Sequence, residues 1–181
     1  LGKTIEASLV LAQKWAERRR RLLLIVPATL RKQWSQELEE KFSLPSRIIE
    51  AKSFNEMIKA GYSNPFDIEV TTGKPAICIC SYEFAARKDL ELSRVPWDMV
   101  VLDEAHKLRN VFKTDGAKTA RKLESALMGR KKVLLSATPL QNSILELYGL
   151  VSIIDPKFFG DLASFKARYG RPNIDELELS L

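Results

Sequence analysis

Two short runs hold residue types that could do chemistry together. Gly2-Lys3-Thr4 sets an unhindered backbone position, a primary amine and a hydroxyl side by side, as at the end of a phosphate-binding loop. Asp103-Glu104-Ala105-His106 sets two adjacent carboxylates close to the chain's single histidine. The Lys3 amine suits β- and γ-phosphate oxygens, and the Thr4 hydroxyl suits magnesium. Asp103 could hold that metal through its water shell, and Glu104 could orient and deprotonate an attacking water. Each half is weak alone. Gly-Lys-Thr without the glycine-rich run that should precede it is equally a chance tripeptide, and an Asp-Glu pair is usually a solvated turn.

Placement strengthens both. In open α/β sheets, ligands sit beyond the carboxyl ends of the strands. Asp103 and Glu104 end the apolar run Met99-Val100-Val101-Leu102, and Gly2-Lys3-Thr4 opens an amphipathic segment, where helix-start amides and the helix dipole favour phosphate. His106 reads as a structural histidine or as a link to the loop after the next strand. That loop carries Ser136 and Thr138, whose hydroxyls could bond the Asp-Glu-Ala-His turn. Gln141 and Asn142 then open a helix whose Leu145, Leu147 and Leu150 face inward.

The elements that must position these residues alternate. Apolar runs at 22–27, 47–51, 76–80, 97–104 and 132–139 suit strands buried on both faces. Between them lie helical patterns: 4–18 with Ile5, Leu9, Ala12 and Ala16 on one face, a helix to about Lys41 capped by Thr29, and one from Asp115 with Ala120, Leu123 and Leu127 inward. Five such alternations predict an α/β fold with a mostly parallel central sheet and helices on both faces. Residues 60–75, rich in turn formers, read as a surface loop. After Pro156 the strand pattern stops, giving a lobe over 1–155 and a helical extension over 156–181.

Composition narrows the class. The chain has 181 residues, 45% hydrophobic and 29% charged, the range of an ordinary globular domain. One histidine excludes a zinc site built from several, and two cysteines cannot complete a four-ligand cage. Cys78 and Cys80 share a face if 76–80 is a strand, too constrained to bridge each other, so they read as buried reduced thiols. No run of about 18 apolar residues occurs, so no membrane partner is expected, and the expected location is cytoplasmic. The net charge of +6 permits a polyanion. Residues 105–133 hold nine Lys/Arg against two Asp/Glu, and Arg18–Arg21 add a basic run; each is either a nucleic-acid patch or a solvated helix end.

LGKTIEA, LLIVPATLRKQW, CSYEF, DEAHKLRN and LLSATPLQNSILELYGLVSIIDP resemble, in order, the motifs of the first RecA-like lobe of Swi/Snf-type ATPases in helicase superfamily two. The resemblance covers residues 1 to about 170. Trp34 and the Thr-Pro-Leu-Gln-Asn extension separate this family from other Asp-Glu-Ala-His proteins. The Ser-Ala-Thr variant is similar to the bacterial branch, which includes RNA-polymerase-recycling types.

The resemblance implies a three-layer RecA-like P-loop NTPase lobe that uses ATP and magnesium. It gives Gly2, Lys3, Thr4, Asp103 and Glu104 the nucleotide and metal roles, and Ser136, Ala137, Thr138 and Gln141 a coupling role with His106. It implies double-stranded DNA as the partner, contacted at its backbone by Pro27, Ala28, Thr29, Ser81 and Tyr82, with displacement of bound proteins such as RNA polymerase. It also implies a second RecA-like lobe bearing an arginine finger outside these residues. This chain by itself is therefore expected to be inactive, although the protein it comes from is an ATP hydrolase. Two alternatives stand beside this reading: an Asp-Glu-Ala-His RNA helicase, and a nucleic-acid or partner-binding domain with a dead nucleotide site.

Overall fold

The computed structural model describes residues 2–108, 118–137 and 144–170. Five parallel strands form one sheet: β1 (Leu22–Val26), β2 (Ser46–Ile48), β3 (Ile77–Ser81), β4 (Met99–Leu102) and β5 (Lys132–Leu134), in the spatial order β2-β3-β1-β4-β5. All five apolar runs form strands; four stop short of the run's carboxyl end, and β3 runs one residue past it to Ser81. The residues left over after β4, Asp103 and Glu104, turn away to build the site. Registers such as Leu24 beside Ile79 and Val101 bring the carboxyl ends of β1, β3 and β4 level with one another.

The pleat divides the core between the two faces. Leu22, Leu24, Val26, Ile77, Ile79, Met99 and Val101 face one helical layer, containing Ala7 and Leu11 of α1 (Gly2–Ala16) and Trp34 and Leu38 of α2 (Arg31–Phe42). Leu23, Ile25, Cys78, Cys80, Val100 and Leu102 face the other. That second layer includes α3 (Ala51–Lys59), α4 (Ile68–Thr72), α5 (Tyr82–Arg87), α6 (Asp89–Ser93), α7 (Lys118–Ala126) and α8 (Ile144–Ile154). Alternate residues of each strand thus enter different cores, which is why the runs are apolar throughout. The expected three-layer α/β architecture is the one observed.

Cys78 and Cys80 are free and buried in the same core, as their spacing predicts. Burial pushes the Cys80 thiol up to about 12, and burial followed by its neighbour's charge raises Cys78. Ala120, Leu123 and Leu127 are inward, as expected. On α8, Leu150 is buried, while Leu145 and Leu147 are half-buried. The last helix, α9 (Leu162–Tyr169), is capped by Asp161, which accepts from the Ser164 amide at 2.9 Å. Phe165 and Phe159 join it to Tyr148 of α8, the 165–148 ring centroids lying 4.9 Å apart.

Three local expectations change. Ile5 and Leu9 on α1 stay 42% and 57% exposed and Ala16 is exposed, while Ala7, Ser8 and Leu11 face the sheet. The helix carries two apolar stripes, and the one through Ala7 and Leu11 is buried in the same core as β1 and β4. Thr29 does not cap α2: it sits in a 3-10 turn, Ala28–Leu30, closed by Leu30 N–H donating to the Pro27 carbonyl at 2.9 Å. Residues 60–75 are not all surface loop. Phe66 and Ile68 are buried there, and the Phe66 ring stacks edge-on against Phe54 at 5.5 Å. The expected cap Asp115 lies outside the described residues.

Candidate active site

Three chain segments meet at the carboxyl edge of the sheet. The first turn of α1 brings Lys3 and Thr4. The exit of β1 leads through the 3-10 turn into α2, which brings Leu30, Gln33, Trp34 and Glu37. The exit of β4 brings Asp103 and Glu104. These eight side chains line one cleft of about 280 Å³. Gly2 is exposed beside it, with open space where a Cβ would project.

The exit of β4 is shaped by the strands beside it. Asp103 N–H donates to the Ile25 carbonyl at 2.9 Å, continuing the ladder to β1. Glu104 then takes a left-handed backbone, with φ of 53°. For a residue with a Cβ this costs on the order of 1 kcal/mol and aims its side chain away from the path of the strand. Its amide is not wasted, since it donates to Asp103 Oδ1 at 2.9 Å. Ala105 N–H next donates to the Leu135 carbonyl at 2.8 Å, tying the acidic turn to the exit of β5 one residue before Ser136.

The two acids have opposite surroundings. Asp103 is only 6% exposed, yet both of its oxygens accept hydrogen bonds, Oδ2 from the Trp34 indole N–H at 2.9 Å and Oδ1 from the Glu104 amide. Glu104 is more open: its Oε1 lies 3.6 Å from Lys3 Nζ, and its Oε2 lies 3.1 Å from His106 Nδ1 without the alignment of a hydrogen bond. Lys3 and the acidic pair, so distant in sequence, therefore converge on one cleft.

The donor set fits magnesium in one way. Among the described residues, no three His, Cys, Asp or Glu side chains gather to hold a metal by themselves. One carboxylate and one hydroxyl suit a magnesium ion that keeps several waters and takes its remaining ligands from substrate phosphates. Asp103, with one donor on each oxygen, keeps lone pairs for that water shell, and Thr4 lines the same cleft.

The sequence model of the SNF2-related domain matches residues 1–180. The chain belongs to that family. Within the SNF2-related group it is 34% identical to a protein called an uncharacterised ATP-dependent helicase, YqhH, of Bacillus subtilis, over 94% of this chain and 27% of that one. It is 33% identical to the RNA polymerase-associated protein RapA of Serratia proteamaculans, over 100% of this chain and 19% of that one. The chain thus spans about a quarter or less of the length of these two relatives. Among solved structures, the SWI2/SNF2 ATPase core of Sulfolobus solfataricus in complex with double-stranded DNA superposes with a TM-score of 0.74 at 22% identity, covering 99% of this chain and 36% of that one. That likeness shows the RecA-like fold of the SNF2 lobe.

The remaining expected site residues fall as follows. His106 lies in a 3-10 turn (Ala105–Leu108) beside Glu104, and Ser136 and Ala137 follow β5 at the same edge. Thr138 and Gln141 lie outside the described residues. Pro27, Ala28 and Thr29 follow β1, with Ala28 and Thr29 exposed. Ser81 and Tyr82, at the exit of β3, are turned inward. Ser81 is buried and its Oγ accepts from the Phe84 amide, capping α5. Tyr82 is 2% exposed and donates its hydroxyl to the Asp103 carbonyl at 2.6 Å. Burial, then the charges of Asp103 and Glu104, raises the phenol's pKa and keeps it a donor. Each side chain is committed to an internal hydrogen bond, Ser81 at the start of α5 and Tyr82 beneath the acidic turn.

Trp34 as a partner of Asp103 was not legible in the sequence. A buried tryptophan needs an acceptor for its N–H, but nothing in the order of residues says which. The basic run Arg18–Arg21 lies at the opposite edge, following the end of α1, where cations complement the helix dipole. Among the described residues no helix is long and apolar enough to cross a membrane.

Proposed function

We propose that this lobe binds ATP with magnesium in the cleft between α1 and the exit of β4. Within a longer protein it would serve as the first RecA-like lobe of a translocase that moves on double-stranded DNA and displaces or remodels bound protein. The observation that carries the reading is the convergence of Lys3, Thr4, Asp103 and Glu104 on one cleft.

In this reading Lys3 leaves Glu104 for the β- and γ-phosphate oxygens. Glu104, freed of that partner, accepts a proton from the attacking water. Asp103 and the Thr4 hydroxyl orient the metal. Magnesium, when bound, neutralises charge on the phosphate oxygens. The exposed turn at Ala28 and Thr29 offers main-chain amides to a DNA phosphate, a contact that positions without reading sequence. The Ala105–Leu135 hydrogen bond lets the segment after β5, including Ser136 and Ala137, follow changes at the acidic turn. A target that includes RNA polymerase is supported by the likeness to RapA, and a cytoplasmic location goes with such a target.

The test is steady-state ATP turnover of the full-length protein with duplex DNA, single-stranded DNA and RNA. Stimulation by duplex DNA is expected, and stimulation by RNA alone overturns the DNA assignment. The isolated chain is expected to turn over ATP negligibly. A Lys3→Ala protein that binds nucleotide as well as wild type overturns the site itself.

A further inference from the structure

We propose that Trp34 is a positioning residue for Asp103, its indole N–H fixing the carboxylate in the orientation that receives the metal's water shell. The inference rests on the nucleotide-site reading above. It starts from the geometry of one side chain. Asp103 Oδ2 accepts from Trp34 Nε1 at 2.9 Å, and this bond is buried. The other oxygen accepts from the Glu104 amide at 2.9 Å, a bond fixed by the left-handed turn of the backbone. A carboxylate's terminal torsion is broad when nothing holds it. Two donors, one per oxygen and from different directions, leave a single orientation in which both are satisfied.

The packing of Trp34 explains why it can do this. Its ring is buried in the core between α2 and the sheet, with Leu38, Leu24, Val26 and Val101 in the same cluster. The indole is therefore rigid, and the N–H is delivered at a fixed point above the exit of β4. On the opposite face, Tyr82 opens α5 and donates its hydroxyl to the Asp103 main-chain carbonyl at 2.6 Å. Both helical layers thus hold the same residue, one by its side chain and one by its backbone.

The location of α2 adds a consequence. Trp34 lies one turn beyond the exposed 3-10 turn at Ala28–Leu30. A ligand that shifts this turn shifts the helix start, and with it the donor on Asp103. Trp34 connects that exposed edge to the metal-directed carboxylate through four residues of chain and one hydrogen bond.

The experiment uses the full-length protein and a fluorescent, non-hydrolysable ATP analogue, titrated with magnesium. Trp34→Phe keeps the ring and removes the N–H. The half-saturating magnesium concentration for nucleotide binding is expected to rise about 10- to 100-fold, the usual cost of losing an outer-shell partner. Saturating magnesium should restore nucleotide affinity close to wild type. A Trp34→Phe protein that melts earlier but shows an unchanged magnesium midpoint has lost only packing, and the inference falls. Asp103→Asn is run in parallel. If it shifts the midpoint while Trp34→Phe does not, this inference alone fails; if neither shifts it, the assignment of Asp103 to the metal fails too. Should Trp34→Phe not fold, 5-fluorotryptophan at position 34 retains the N–H. Its fluorine resonance must move when magnesium and nucleotide are added together and stay in place when nucleotide is added with a chelator. The absence of that difference overturns the proposal.

Discussion

The two edges of the sheet carry similar densities of charge and use it differently. At the amino edge, Arg18, Arg20 and Arg21 border a cavity of about 420 Å³ together with Glu69 and Asp98. Arg21 is paired with Asp67 at 3.4 Å, its amide donates to Asp98 at 3.1 Å, and Arg20 lies 5.1 Å above the Trp15 ring. These are neighbours completing a helix end and the start of two strands. At the carboxyl edge, Lys3 and Glu104 are loosely paired at 3.6 Å, and Glu104 sits on strained backbone. Asp103 there is held by two separate elements. The density of charge does not mark a site. What marks it is a carboxylate held by donors from two separate elements and facing an amine and a hydroxyl across one cleft.

That contrast can be broken at several points. The largest effect belongs to Glu104→Gln. In the full-length protein, ATP hydrolysis should fall about 10²- to 10⁴-fold, while binding of a non-hydrolysable analogue persists; single-turnover rates and fluorescence titration check the two halves. Next is Leu23→Ala, at the centre of the sheet, fully buried and on the face away from Trp34. It should cost about 2–5 kcal/mol of stability in chemical denaturation, without moving the magnesium midpoint of nucleotide binding. A shift there would mean that the edges are coupled through the core.

The thiols report on the sheet between the edges. With Cys80 pushed up to about 12, the folded state keeps a proton that the unfolded chain gives up near 9.0. Stability is therefore full below about pH 9 and declines as pH rises from there toward 12. Alkylation of Cys78 and Cys80 in the native protein at pH 8 should track global unfolding; rapid labelling would contradict their burial. The smallest effect belongs to Arg21→Ala. Its side chain is about a third exposed, so the change should cost at most about 1 kcal/mol and leave ATP turnover alone. A large loss of turnover would make the amino edge functional after all.

Much of this was legible in the sequence because it depends on local rules. Runs such as Leu22–Val26 are apolar at every position, which only a strand covered on both faces needs. Asp103 and Glu104 follow such a run directly, so their place at a sheet edge followed from the order of residues. The failures share one cause. The inward stripe of α1, the burial of Phe66 and the commitment of Tyr82 depend on which distant element arrives to cover each face. Hydropathy counts apolar residues and cannot see that Ala7 fits against the sheet better than Ile5. The Trp34–Asp103 bond is the extreme case, joining residues that no spacing rule connects.

The backbone of Glu104 has a consequence for how this chain can change. At 53° in φ, a glycine would sit more comfortably there than glutamate does. Glu104→Gly should fold at least as stably as Glu104→Gln while doing no hydrolysis at all. Selection for folding alone would favour that glycine, and what the glycine could not supply is the carboxylate that faces Lys3 across the cleft.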